Sequence, residues 1–244
     1  MPRRTGPAIL SIAATLSLAQ TPYSANAATK SFLIGSFEEL IVEGDIIVKL
    51  DNMRSPSAKA SGDRSLVEAL RIDRNGLTVR VRVQDYEGDT QKAKIGEPLV
   101  VTLGGRGVRT AMVDGSAQLD INQIRALGQP VTLKLAGAGQ INVGLLEGDR
   151  LETGLSGNGG IHVTSGKVRS ARLSVNGSGK MDAPRLSLMQ AVLFQQGNAT
   201  THLTVNEKID ISNSGSGSIR IDGKATCFVR QPGSAKISCG KTAQ

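Results

Sequence analysis

Aromatic residues are nearly missing from this sequence, which has no tryptophan, two tyrosines and four phenylalanines among 244 residues. Globular cores and sugar-binding sites usually draw on aromatic rings, because one ring buries a large apolar area. The core must therefore be built from isoleucine, leucine and valine. The same scarcity argues against a sugar-cleaving cleft and against binding of nucleic acid, whose bases stack on aromatic side chains.

Cysteine and histidine are also scarce, with two residues of each. Cys227 and Cys239 lie near the C-terminus with no histidine close to them in sequence. Two thiols fall short of the four ligands of a structural zinc site, so a disulfide is the preferred interpretation for an exported chain. We expect no bound metal and no other cofactor.

No long apolar run follows the first 27 residues. Those residues have the order of a secretory signal: Arg3 and Arg4, an apolar run over Ala8–Ala19, and the cleavage motif Ala25-Asn26-Ala27. The apolar run is too short to span a bilayer. We predict a signal peptide over 1–27 and an exported protein (periplasmic, outer-surface or extracellular) without a membrane span. The alternative is an N-terminal helix of the folded domain.

Glycine, by contrast, is abundant, and in the second half of the chain it recurs in Gly-x-Gly-type segments. The first glycines of successive segments are separated by 22, 20, 20, 20 and 18 residues. Apolar residues stand before and after each glycine at every second position, which indicates strands with one buried face. The glycines that we predict to form the turns are Gly115, Gly137, Gly139, Gly157, Gly159, Gly177, Gly179, Gly197, Gly215 and Gly217.

One such unit cannot bury its apolar face alone, whereas stacked units form a continuous core. Parallel stacking places equivalent residues in columns about 4.8 Å apart, and parallel crossovers favour a right-handed path. We predict an all-β fold, a right-handed parallel β-helix (β-solenoid) with about 20 residues per coil. A rigid array of hairpins is the competing arrangement.

Residues 28–244 are predicted to form a single β-solenoid domain. Irregular N-terminal coils and a cap occupy 28–110, the regular repeat occupies 111–223, and a C-terminal disulfide cap occupies 224–244, because the exposed end of a solenoid is an edge that needs covering. Within the N-terminal part we expect a turn at Gly44-Asp45 and a short helical turn at 65–70. The polar segments 51–62 and 84–97 are predicted to be loops.

The opening Phe37–Ile46, the Asn75-Gly76-Leu77 strand entry and the serial Gly-Ser-Gly turns resemble the GIN-domain family of autotransporter-type adhesins, over about residues 30–223. The resemblance implies a fold similar to pectate-lyase-like β-helices, in which the Gly-Ser-Gly turns connect the sheets. It also implies a cell-surface or envelope role in adhesion, without catalytic residues. Ala117 and Ala199 depart from the pattern, because each replaces the second glycine of its turn.

The two histidines, His162 and His202, occupy the same outward position of the repeat, and Asp182 occupies it on the coil between them. A column stacks them at about 5 Å spacing. The column is either a weak metal or proton-transfer site or a polar ladder with ordinary charge pairing. The second interpretation is preferred, because metal sites need three or four ligands in fixed geometry.

Motifs of catalysis are missing. There is no Gly-x-Ser-x-Gly elbow, and no phosphate-binding loop with its Lys-Ser/Thr. Asp120 and Asp182 share the outward column three coils apart, about 14 Å, which is too far for paired-carboxylate hydrolysis. Clustered arginines are either a contact for anionic envelope glycans or a solvated strand face: Arg71, Arg74, Arg80 and Arg82, with Arg106 and Arg109 expected nearby.

We therefore predict an exported cell-envelope or secreted binding and adhesion protein, not an enzyme, with no catalytic residue. The expected partners are envelope glycans or surface proteins, and not nucleic acid. Two alternatives stay open: a β-helix polysaccharide-active enzyme (lyase or hydrolase) and a purely structural periplasmic protein. The ligand, the oligomeric state and the choice between periplasm and cell surface are left open.

Overall fold

The computed structural model describes residues 27–84, 97–230 and 233–242. The predicted signal peptide and the greater part of the predicted loop at 84–97 lie outside the described residues. The described elements are β1 (Ala27–Phe32), β2 (Glu39–Gly44), β3 (Ile47–Asp51), β4 (Ser57–Asp63), α1 (Arg64–Ala69), β5 (Leu70–Asn75), β6 (Thr78–Val83), β7 (Val100–Gly104), β8 (Thr110–Gly115), β9 (Gln118–Gly137), β10 (Gln140–Gly157), β11 (Gly160–Gly177), β12 (Lys180–Gly197), β13 (Thr200–Asn213), β14 (Ser218–Arg230) and β15 (Lys236–Thr242).

Strands β9 to β15 stack as parallel neighbours in sequence order, one coil upon the next. Ile141 pairs with Ile161, and Ile161 pairs with Met181, so equivalent residues of the repeat lie in register. The predicted all-β parallel solenoid is confirmed. Each long strand covers most of its coil, and two residues after the turn glycine separate β9 to β13 from one another. The ladder between coils also shifts register within the strands, for example between Ala183 and Ser187.

The regular coils turn at a glycine with a left-handed backbone, except at the last turn, where Gly215 does not have one. Gly157 has φ +115°, and it pairs with Gly137 on one side and Gly177 on the other. A side chain at this φ is strained, whereas glycine adopts it at no steric cost. The column continues into the N-terminal part, where Gly44 pairs with Gly115 and has φ +100°. Stacking requires the same corner in successive coils.

The core is a set of aliphatic columns inside the coils. Leu119, Ile141, Ile161 and Ile219 are at most 1% exposed in one such column. Thr201 interrupts this column, and it is fully buried. Its hydroxyl donates to Gln195 Oε1 at 2.6 Å, and Gln195 Nε2 donates to the Ala199 carbonyl at 3.0 Å. The one polar residue of the column is therefore hydrogen-bonded, as burial of a polar group requires.

The N-terminal coils do not stack in sequence order. Strand β2 lies between β6 and β8, and β3 lies between β7 and β9. The coil that comes first in the chain is therefore covered by a coil that comes later. Antiparallel strands finish this end of the stack, because β1 pairs with β4, β4 with β7, and β5 with β6.

The prediction of a loop at 51–62 is wrong for its second half, which forms β4. Ala58 and Ala60 are buried in this strand, and Gly62 lies directly against the backbone of Pro98. Buried and exposed residues do alternate along β4. The buried ones are too small for the sequence to show a hydrophobic pattern. The predicted helical turn at 65–70 is confirmed as α1, capped by Asp63, whose carboxylate accepts from the Ser65 amide at 2.9 Å.

The C-terminal end carries the cysteine pair. Cys227 in β14 and Cys239 in β15 are joined as a disulfide, with their Cα atoms 6.6 Å apart. Cys227 is fully buried at the end of the core. Among the described residues, none of the helices has the length and apolarity needed to cross a membrane.

Loss of the disulfide is expected to loosen the last coil. Replacing Cys239 by serine removes a cross-link over 12 residues, which the chain-entropy model values at about 3 kcal/mol. Because each coil contacts only its neighbours, the effect should be local. Hydrogen exchange should accelerate in β15 and the end of β14, while β10 and β11 keep their protection. Unchanged exchange in β15 would contradict the prediction.

Candidate functional site

The outward side chains on the strand segments that follow the turn glycines form one continuous polar column. Its members pair in order along the stack: Asp120, Asn142, His162, Asp182, His202 and Arg220. The alignment of repeats predicted this order residue by residue. We call these six residues the polar column, and they define the face of the solenoid on which the candidate site lies.

Asp182 is the centre of the charged part of the polar column. Its carboxylate lies 3.3 Å from His162 Nδ1, 3.6 Å from His202 Nδ1 and 3.2 Å from Lys180 Nζ. The Asp182 side chain is 20% exposed, and His202 is 26% exposed. Farther along, Asn142 Nδ2 donates to Asp120 Oδ1 at 2.8 Å. The structure therefore brings together the His162, Asp182 and His202 set that the sequence singled out.

A second carboxylate, Asp222, joins this set and was missed by sequence reasoning. His202 Nε2 lies 2.7 Å from Asp222 Oδ2, and Arg220 Nε donates to Oδ1 at 3.1 Å. Asp222 stands two positions after the polar column in the repeat, so the periodic alignment had no reason to select it. Each imidazole nitrogen of His202 thus faces a carboxylate.

The pKa of Asp222 is lowered, mainly by its hydrogen bond with His202 and further by the charge of Arg220, against the opposing effect of burial. No group of three or more His, Cys, Asp or Glu residues in the described part of the chain could hold a metal ion. The contacts join neighbouring side chains along the ladder.

Acid is expected to weaken the contribution of Asp222. Because its pKa is lower in the folded protein, the ionised carboxylate stabilises the fold above its unfolded pKa of about 3.9, and this contribution is lost as the pH falls through the folded value. At pH 6 we expect Asp222→Asn to lower Tm by about 1–3 °C. The difference should be smaller at about pH 3, below the unfolded pKa, as thermal melts followed by circular dichroism can show. A difference that is the same at both pH values would contradict the assignment.

A shallow depression of about 350 Å³ opens beside the polar column at Gly160. Amide side chains from two coils border it on one side, and charged side chains of the polar column and of Lys180 border it on the other. The lining residues are Ala138, Gln140, Asn142, Asn158, Gly159, Gly160, Ile161, His162, Lys180 and Asp182. We call it the Gly160 depression.

A different surface lies on the face that carries the strand segments before the turn glycines. There a groove of about 580 Å³ runs over Gly154, bordered by Ile41, Met112 and Lys134. Phe194, which is 44% exposed, lies on the same face, with the Arg172 guanidinium 5.9 Å from its ring centre. The lining of this groove is more apolar than that of the Gly160 depression.

The predicted arginine cluster is only partly assembled. Arg71 pairs with Arg82 across the β5–β6 hairpin, and Arg82 lies 3.3 Å from Asp73. Arg80 forms an ion pair with Glu43. The two outlying arginines bind elsewhere: Arg106 donates to the Met53 carbonyl, and Arg109 pairs with Glu38. Acidic partners thus pair with three of these arginines, which favours the solvated strand face over the contact for anionic glycans.

Comparison with known proteins places these features in a family. The family model described as "Putative auto-transporter adhesin, head GIN domain" matches residues 36–225. A "putative adhesin" from Bacteroides fragilis superimposes with a TM-score of 0.73 at 16% identity, covering 89% of this chain and 97% of that one. A "putative adhesin" from Parabacteroides merdae has a TM-score of 0.66 at 17% identity, with coverages of 91% and 98%.

A third structure, from Parabacteroides distasonis, is described as a "putative lipid binding protein". It has a TM-score of 0.64 at 18% identity, and the alignment covers 88% of this chain and 98% of that one. At such identities the likeness extends to the fold alone. Comparison with curated proteins gives no match.

Proposed function

Because the chain belongs to the head GIN domain family of auto-transporter adhesins, we propose that it is an exported binding protein of the cell envelope, which attaches to surface glycans or proteins without chemically changing them. The observation that carries the proposal is the polar column. Its side chains follow one another on six successive coils, so they present a flat and extended contact surface. Extended solenoid surfaces of this kind are used for binding.

The arrangement of acids favours binding over glycoside hydrolysis. Asp120 and Asp182 lie three coils apart in the polar column, with Asn142 and His162 between them. Asp182 itself forms an ion pair with Lys180 and lies beside both histidines. Hydrolysis by paired carboxylates needs an acid that can give up a proton beside a second carboxylate. Asp120 and Asp182 lie too far apart to act as such a pair.

Export is proposed from the first 27 residues, whose order of charged, apolar and small residues is that of a signal peptide. The disulfide supports it, because disulfides persist in oxidising compartments outside the cytosol. Both observations are independent of family membership.

The proposal is tested by fractionating cells that express the full chain and by measuring binding of the purified protein to intact cells and to isolated envelope. We expect the protein in the periplasm or at the surface, cleaved after Ala27, with saturable binding to envelope. The bound material is then analysed for new reducing ends and unsaturated sugars. Cytosolic location would overturn export, released products would establish the enzyme alternative, and absence of binding would leave the structural alternative.

A further inference from the structure

The fold does not require a glycine at position 160. Gly160 does not have a left-handed backbone, and a Cβ placed on it would find its nearest atom, the Lys180 carbonyl oxygen, at an ordinary 3.6 Å. The preceding Gly159 is different, since its Cβ would overlap the carbonyl oxygen of Gly139. The equivalent positions of the neighbouring coils carry side chains: Gln118, Gln140, Lys180, Thr200 and Ser218.

Glycine inside a strand weakens it, and it often marks a place where a ligand approaches closely. At position 160 the absence of a side chain opens the Gly160 depression between the side chains of Gln140 and Lys180, which flank it in the same column. The depression therefore exists because position 160 carries no side chain, although the stacked coils leave room for one. Small and apolar residues (Ala138, Gly159, Gly160 and Ile161) line it together with the amide and charged side chains.

The side chains around the Gly160 depression offer hydrogen-bond donors and acceptors in nearly equal measure. Within the described residues, the side-chain amides of Gln140 and Asn158 make no hydrogen bond to another residue, so both remain available to a ligand. The side chain of Asn142 donates a hydrogen bond to Asp120 through Nδ2, and its carbonyl oxygen can accept a hydrogen bond from a ligand. An anionic ligand would meet the Asp182 carboxylate, and a cationic ligand would meet the Lys180 ammonium. Hydroxyl groups both donate and accept, and they match such a border.

We propose that the Gly160 depression binds one sugar residue of a carbohydrate, with the ring lying over Gly160 and its hydroxyls bonded to Gln140, Asn142 and Asn158. This deepens the proposed function, on which it rests, by naming the site and the ligand class. No aromatic side chain stacks on the sugar, so a single site binds weakly. Adhesion then depends on many copies engaging a polymer at once, which raises the overall affinity without new contacts.

The test uses an array of immobilised neutral and acidic oligosaccharides, followed by saturation-transfer NMR with the soluble form of the best-bound oligosaccharide. The informative variant is Gly160→Thr, which fills the depression with a threonine side chain. Threonine already occupies the equivalent position of a later coil, at Thr200. Its fold should be retained, because the site accepts a Cβ. We expect at least a tenfold loss of glycan binding. Gln140→Ala, which removes an exposed amide, should also weaken binding.

The matched control is Gly154→Ser, on the face that carries the strand segments before the turn glycines. A Cβ there would meet only the Lys134 side chain, at 3.7 Å, and the next coil has Ser174 at the equivalent position. Equal melting temperatures for all three variants would show that folding is unaffected. Glycan binding lost in Gly160→Thr and kept in Gly154→Ser supports the site.

The remaining outcomes separate the two proposals. Glycan binding that Gly160→Thr leaves unchanged overturns this site, while the binding function stands. Binding to envelope proteins with no glycan bound overturns the carbohydrate class, again without touching the broader proposal. Absence of binding to glycans, cells and envelope overturns both.

Discussion

Replacing Gly157 by valine is expected to lower the free energy of unfolding by about 3 kcal/mol or more. Gly157 has φ +115°, which is strained for any side chain and most of all for a β-branched one. Its Cβ would also overlap the carbonyl oxygen of Gly137 on the adjacent coil. That oxygen accepts hydrogen bonds from the amides of Asn158 and Gly159 at 3.0 Å, so it cannot move away without breaking the ladder.

The control is Gly160→Ala, three residues along the same chain. Its backbone is not left-handed and its surroundings accept a Cβ, so we expect a change between zero and a gain of about 1 kcal/mol. Urea denaturation followed by circular dichroism measures both variants. Equal losses at the two glycines would show that the corner geometry is not what stabilises the stack.

Leu173→Ala is expected to cost about 3–4 kcal/mol. Leu173 is fully buried in the centre of the solenoid, where it pairs with Thr153 on one coil and Leu193 on the next. The aliphatic columns contain few large rings that could shift into the space, so the cavity should persist. Denaturation should show a lower midpoint, with hydrogen exchange fastest in β11 and the coils on either side.

A substitution in the same column is expected to raise the free energy of unfolding. Thr153 is 6% exposed, and its hydroxyl has no hydrogen-bond partner among the described residues. Thr153→Val keeps the shape and removes the cost of burying that hydroxyl, so a gain of about 1 kcal/mol is expected. A loss in Thr153→Val, or no loss in Leu173→Ala, would contradict the assignment of this column to a tightly packed core.

The regular coils could be predicted from the sequence because every interaction in them is between equivalent positions of neighbouring repeats. Aligning the glycines placed His162, Asp182 and His202 in one column, and the registers agree. The alignment did not predict Asp222 as part of the site, because its contact with His202 joins different positions of the repeat. The role of Gly160 escaped because it follows Gly159 directly and looks like part of the turn. Comparing it with Thr200 and Ser218 in register would have revealed it.

The glycine period and the alternation around it are local properties, and they were enough to indicate a parallel solenoid, its coil length and its outward columns. The N-terminal end was decided by tertiary structure. Strand β2 lies between β6 and β8, and β4 closes the stack with small buried residues, and neither arrangement follows from a pattern within one segment. The physical reason is that an end coil lacks a neighbour on one side. Its partners are therefore chosen by distant contacts that cover the exposed edge.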